Sequence, residues 1–113
     1  MKLNYENLEV YQISIQFLGF AFQAIQKIPH GYSFLSDQFK RASLSIPLNI
    51  AEGNGKLSAK EQGRFYQIAK GSANECGAIL DAMVTIQILD AGEHAKGKEF
   101  LYHIVCMLSK MCK

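Results

Sequence analysis

The chain has 113 residues, of which 49% are hydrophobic and 19% charged, with a net charge of +2, two prolines and no tryptophan. That size and apolar content suit one domain, residues 1–113, with its own core, and exclude a disordered or collagen-like chain. The three cysteines, Cys76, Cys106 and Cys112, are an odd number without a C-x-x-C pair, which fits a reducing cytoplasm and not a disulfide scaffold.

The charge is unevenly spread. Residues 1–39 carry two cations against three acids, −1; residues 40–70 carry six against two, +4; residues 71–113 carry four against five, −1. All the net positive charge therefore falls in the middle third.

The first residues lack the apolar run of a signal peptide and bear Glu6 and Glu9 early. A first helix is expected over Leu8–Ile28. Leu8, Tyr11, Ile15, Leu18, Phe22 and Ile25 follow the three-to-four spacing of one apolar face, and Val10, Ile13, Phe17, Phe20 and Ala24 form a second. The helix must be covered on more than one side. Gln12, Ser14, Gln16, Gln23 and Gln26 interrupt the run and make it a poor membrane span, so no membrane partner is expected. Pro29-His30-Gly31 ends it.

A second helix is expected over Phe34–Glu52, with Leu35, Phe39, Ala42, Ile46 and Ile50 inward and a glycine stop at Gly53-Asn54-Gly55. Pro47 lies inside it, where a missing donor and a clash with the carbonyl of Ser43 cost about 3 kcal/mol. Two readings are open: a kink that aims Asn49 and Glu52 at a site, or one that fits the helix to its neighbours. Asn49 and Glu52 share a helix face, with Arg41 and Ser45 on a nearby line. With Glu75 they form either a polar network that locks the second helix to the third or a ligand site.

The third helix opens with Ser58 and Glu61 spaced as a capping box and is expected to run to about Asp90. Its stripe is Phe65, Ile68, Ala69, Ser72, Cys76, Ile79, Met83 and Ile86, with Tyr66, Ala73, Leu80 and Val84 alongside. Lys56, Lys60 and Arg64 recur every four residues, which lines them on one face of the helix start, and Lys40 and Arg41 approach from the preceding helix. This set is either a phosphate-contacting patch near a helix N-terminus or an ordinary solvated face. The small residues Ala69, Gly71, Ser72, Ala73 and Gly77 allow close approach, within the chain or between subunits. A turn at Ala91-Gly92 and a fourth helix over Glu93–Met111 complete the pattern. Strand alternation is absent and the connections are short, so the expected fold is an all-α, antiparallel up-down four-helix bundle.

Enzyme chemistry finds little support. Gly53-Asn54-Gly55-Lys56 is not a phosphate loop, because Ile50 and Leu57 occupy the places of its glycine and its hydroxyl residue. No glutamate has histidine three residues on, as a di-metal bundle requires; Glu99 and His103 are four apart. No metal, cofactor or small-molecule substrate is expected.

The segments S-L-S-I-P-L-N-I-A-E-G-N-G-K-L-S and F-Y-Q-I-A-K-G-S-A-N-E resemble the bacterial four-helix bundle proteins encoded in intervening sequences of 23S rRNA genes, a family also labelled ribosomal. The resemblance spans nearly the whole chain. It rests on Arg41, Ser45, Ile46, Asn49, Ile50, Ala51, Glu52, Gly53, Gly55, Ser58, Phe65, Ala69, Gly71, Ser72 and Glu75. Lys56 stands where the pattern often has arginine, and Cys76 where it often has leucine. The resemblance implies a ring-like homo-oligomer, a pentamer, and implies no reaction. A related bundle family assists retroelement reverse transcriptases and binds nucleic acid. The function expected is thus a non-enzymatic oligomeric bundle binding RNA or DNA through Lys56, Lys60 and Arg64, with Lys40 and Arg41 nearby. The alternative is a protein-interaction module that uses the same surface.

Overall fold

Four helices follow one another in the computed structural model, which describes residues 1–112: α1 Glu9–Ile25, α2 Ser33–Asn54, α3 Ala59–Thr85 and α4 Ala91–Met111. Short 3-10 turns at Asn4–Asn7 and His30–Tyr32 precede α1 and α2. Each helix packs on its two neighbours in a closed square, α1 on α2, α2 on α3, α3 on α4 and α4 on α1; the diagonal pairs do not meet among the described residues. The result is an antiparallel up-down four-helix bundle of 44 × 25 × 22 Å. No described residue lies in a strand.

The core follows the apolar faces. Phe17 of α1, Phe39, Ile46 and Ile50 of α2, Leu80 and Met83 of α3, and Ile104 and Leu108 of α4 are fully buried. Each such side chain contributes roughly 1.5–3 kcal/mol of transfer free energy. The rings of Phe17 and Phe39 meet edge-on at 6.3 Å, tying α1 to α2. The α3 face differs from expectation by a rotation. Tyr66, Ala73, Gly77 and Leu80 are buried with Ala69, Cys76, Ile79 and Met83, whereas Ile68 and Ile86 are exposed.

Helix ends depart from expectation for local reasons. α1 stops at Ile25, because Lys27 and Ile28 donate to carbonyls three residues back and tighten the chain before Pro29. α3 stops at Thr85, not near Asp90. Gln87 takes φ of 66°, its N–H reaches the Val84 carbonyl at 3.2 Å, and the Ile88 N–H reaches the Met83 carbonyl at 2.8 Å. This is a Schellman stop with glutamine in the left-handed place usually held by glycine. The turn expected at Ala91-Gly92 lies earlier, for α4 already begins at Ala91. Asp90 accepts from the Glu93 N–H at 2.7 Å while the Glu93 carboxylate accepts from the Asp90 N–H at 3.1 Å. At α3 only half of the expected box forms: Ser58 accepts from the Glu61 N–H at 3.1 Å.

The glycine stop expected after α2 is also absent in that form. The helix runs through Gly53 to Asn54, and Gly55 has φ of −80°, which any residue adopts. Gly53 is needed for space: a Cβ there would meet the Tyr66 ring at 2.9 Å and the Phe65 Cβ at 3.0 Å. Gly97 on α4 is tighter still, with Leu80 Cδ1 at 2.6 Å and Phe20 Cε2 at 2.7 Å from a built Cβ. Gly63 on α3 has nothing within 4 Å. Gly97→Ala is therefore expected to lower stability by about 1–2 kcal/mol, because overpacking outweighs the helix-propensity gain. Gly63→Ala is expected to raise it by up to about 1 kcal/mol. Urea unfolding of both variants reads the opposite signs.

Candidate nucleic-acid interface

Antiparallel packing of α2 on α3 sets which polar residues meet. Ser45 on α2 and Ser72 on α3 share a hydrogen bond between hydroxyls at 2.8 Å. The Asn49 amide donates to the Ser45 carbonyl at 2.8 Å and to its hydroxyl at 3.0 Å. Four residues before Ser45, Arg41 donates to Glu75 at 2.9 Å and to Gln38 at 2.7 Å. Ser45, Asn49 and Glu75 are thus all engaged in the seam, with Ser72 as the partner that spacing alone did not single out. Glu52 is apart from them: it faces solvent and pairs with Lys56 at 3.3 Å.

Pro47 is buried, and α2 continues across it without a break. The upstream Ser43 hydroxyl donates to the Phe39 carbonyl at 2.7 Å, so its polar atom is satisfied inside the core. No buried side-chain nitrogen or oxygen among the described residues lacks a partner. The interior of the seam therefore carries a closed polar network, which matters because an unpaired buried group costs about 1–3 kcal/mol.

The basic residues are arranged differently from a single helical line. Lys56 precedes α3 and lies in the connection, since the helix starts at Ala59. Its ammonium stands 5.1 Å from the Phe65 ring centroid, and the Arg64 guanidinium stands 5.6 Å from the same ring. Lys60 sits in the first turn of α3 and Arg64 in the second, both exposed and without an ion-pair partner among the described residues. Leu57, beside them, is fully exposed. Lys40 and Arg41 do not reach this corner. Arg41 lies fourteen residues before Gly55 on α2, about 20 Å away at 1.5 Å per residue, and is held by Glu75.

A second polar cluster bridges α3 and α4. Asp81 Oδ1 meets His94 Nε2 at 2.8 Å and Lys98 Nζ at 2.9 Å. The hydrogen bond from His94, then that from Lys98, holds the Asp81 carboxyl below its usual range. His94 is in the first turn of α4. The signal for this cluster, His94 and Lys98 four apart, becomes informative only once the α3–α4 register brings Asp81 opposite. Cys76 is buried and its thiol is pushed up to about 12, chiefly by desolvation, so it is inert. No group of described His, Cys, Asp and Glu residues could hold a metal ion. No described helix is long and apolar enough to cross a membrane.

With this geometry in place, comparison with known proteins adds three findings. The family model described as 23S rRNA-intervening sequence protein matches residues 6–110. A crystal structure of a protein of unknown function from the S23 ribosomal protein family of Bacteroides thetaiotaomicron VPI-5482 superposes with a TM-score of 0.85 at 20% identity, covering 92% of this chain and 98% of that one. At that identity the likeness carries the fold alone. No curated protein matches.

The lowered Asp81 value has a definite sign for stability. A depressed folded-state pKa gives stability that is present above the unfolded carboxylate pKa, about 3.9, and is lost as pH falls through the folded value. Asp81→Asn is expected to lower Tm near neutral pH, with a gap to the wild type that narrows as pH falls below about 4. Melting curves across that range check it.

Proposed function

The chain belongs to the 23S rRNA-intervening sequence protein family, and we propose that it is a non-enzymatic, self-associating cytoplasmic bundle that binds RNA or DNA through the corner where α2 passes to α3. The observation that carries this reading is the pair Lys56 and Arg64 on the Phe65 ring, with Lys60 exposed in the first turn of α3 and two of the three cations unpaired. They stand at the N-terminus of α3, where free N–H groups add to a favourable field for phosphate. The Lys56–Glu52 pair is a surface ion pair, worth about 0.2–1 kcal/mol, so a phosphate can displace it.

Magnitude decides the role of self-association. Two or three cations per copy release about that many counterions, which gives a log–log salt slope of roughly −2 per copy and weak binding at physiological salt. Several copies on one nucleic acid multiply this through avidity. Lys40 and Arg41 lie apart from this corner, and Arg41 is paired with Glu75 across the seam. The non-enzymatic part of the reading rests on chemistry: the ionisable side chains that do cluster, Asp81 with His94 and Lys98, are hydrogen-bonded to one another at the surface.

Anisotropy with a structured RNA, from low to physiological salt, tests the reading. Affinity is expected to fall steeply with salt and to drop at least about tenfold when Lys56, Lys60 and Arg64 are all replaced by Glu. Binding that survives the triple replacement, or that ignores salt, sinks it. A second reading, a protein-interaction module, draws on the exposed Leu44, Leu48 and Ile68 along the seam. Under it, Leu48→Asp abolishes capture of a protein partner from nuclease-treated extract; under the first reading Leu48→Asp leaves RNA affinity unchanged.

A further inference from the structure

The outer face of α1 is apolar and carries no charge. From Val10 to Gln26 the helix has no charged residue. Ile15 and Phe22 remain 42% and 41% exposed after the bundle has formed. Between them lies Gly19, with nothing within 4 Å of a built Cβ, so the monomer gives no packing reason for a residue that costs a helix about 0.8–1 kcal/mol. Exposed apolar side chains, amides in place of charges and an open glycine are what the core of a helix–helix contact between chains requires.

Across the molecule, over α3, the complementary shape is present. A groove of about 370 Å³ runs between α3 and α4, floored by Ala73, Gly77, Leu101 and Val105. Beside it the outward residues Gly71, Asn74, Ala78 and Ala82 are all exposed, small and uncharged. Of the charges that border this strip, Glu75 is tied to Arg41 on one side and Asp81 to Lys98 and His94 on the other, while Lys70 at its N-terminal end has no ion-pair partner among the described residues. The strip itself carries no charge along the line from Gly71 to Ala82 apart from its flanks, which matches a neutral α1 face. The groove is lined by α3 and α4 alone and shares no residue with the α1 face, so one copy can use both at once.

We infer that the occupant of the α3–α4 groove is α1 of a second copy, with Ile15 and Phe22 as knobs and Gly19 admitting the close approach of α3. This rests on the proposed self-association and names its surfaces. The contact is heterologous: knobs of one copy enter the groove of the next, and the first copy's own groove stays free for another. Such contacts generate a ring if the rotation closes and a chain if it does not. A two-fold contact of α1 with α1 would set knobs against knobs and leave both grooves empty.

Two variants at exposed positions test the inference, Gly19→Glu on the α1 face and Ala78→Glu on the α3 face. Circular dichroism confirms that each folds, and light scattering after size exclusion reads the mass against the 12.6 kDa chain. The wild type is expected above dimer mass and each variant alone as a monomer. Mixed, the two are expected to form a one-to-one dimer and nothing larger, because each supplies the face that the other has lost. A monomeric wild type at its highest soluble concentration overturns the self-association reading together with this one. An oligomeric wild type whose two variants also stay oligomeric overturns these surfaces alone. So does Ala78→Glu staying oligomeric while Gly19→Glu does not, and so does a mixture that stays monomeric.

Discussion

The seam between α2 and α3 is the constraint on which the rest of the structure depends. It is the most extensive of the four helix pairings. At its lower end Gly53 has no side chain, so the Tyr66 ring can lie against the α2 backbone. At its middle Ser45 meets Ser72, and at its upper end Arg41 meets Glu75. These three meetings belong to one register. A slip of one residue would set a Cβ into an aromatic ring and leave a half-buried hydroxyl without its partner. Packing sets the distance and hydrogen bonding sets the register, which is how a seam with few large side chains on α3 still specifies a single arrangement.

The basic corner is a consequence of that seam. Because α2 ends against Tyr66 and α3 starts at the Ser58 cap, the connection is short and Lys56 is brought over Phe65. Burial pushes the Tyr66 phenol upward, and Asn54, which also accepts from Asn4 at 3.2 Å, lies close enough to oppose it. The N-terminal turn is thereby held to the same end of the bundle. Charge, exposed Leu57 and a helix N-terminus converge there through the geometry of two helices, with no loop of special conformation.

Much of this was legible in the sequence, for physical reasons that vary by element. The apolar periods of α1, α2 and α4 located three helices within a few residues, since an amphipathic face leaves a repeating trace. On α3 two stripes competed, and only the closeness allowed by Ala69, Ala73 and Gly77 decides that the face turns toward Tyr66 and Leu80. The stop at Gln87 was hidden because its left-handed conformation is carried by a residue with no preference for it. The even spacing of Lys56, Lys60 and Arg64 suggested one helical line, although the cap at Ser58 already excludes Lys56 from the helix. The roles of Arg41, Ser72 and Asp81 depend on partners in another helix, and sequence spacing carries no register between helices. Glu52 illustrates the same limit: it shares a face with Asn49 but turns to solvent and Lys56.

The claim that the α2–α3 seam organises the bundle is tested most directly by native-state hydrogen exchange. The amides of residues 42–50 in α2 and 66–80 in α3 are expected to exchange last and together, only through global unfolding, with the middle of α1 and of α4 opening earlier. If the central amides of α1 or α4 outlast those of the seam, the account is contradicted.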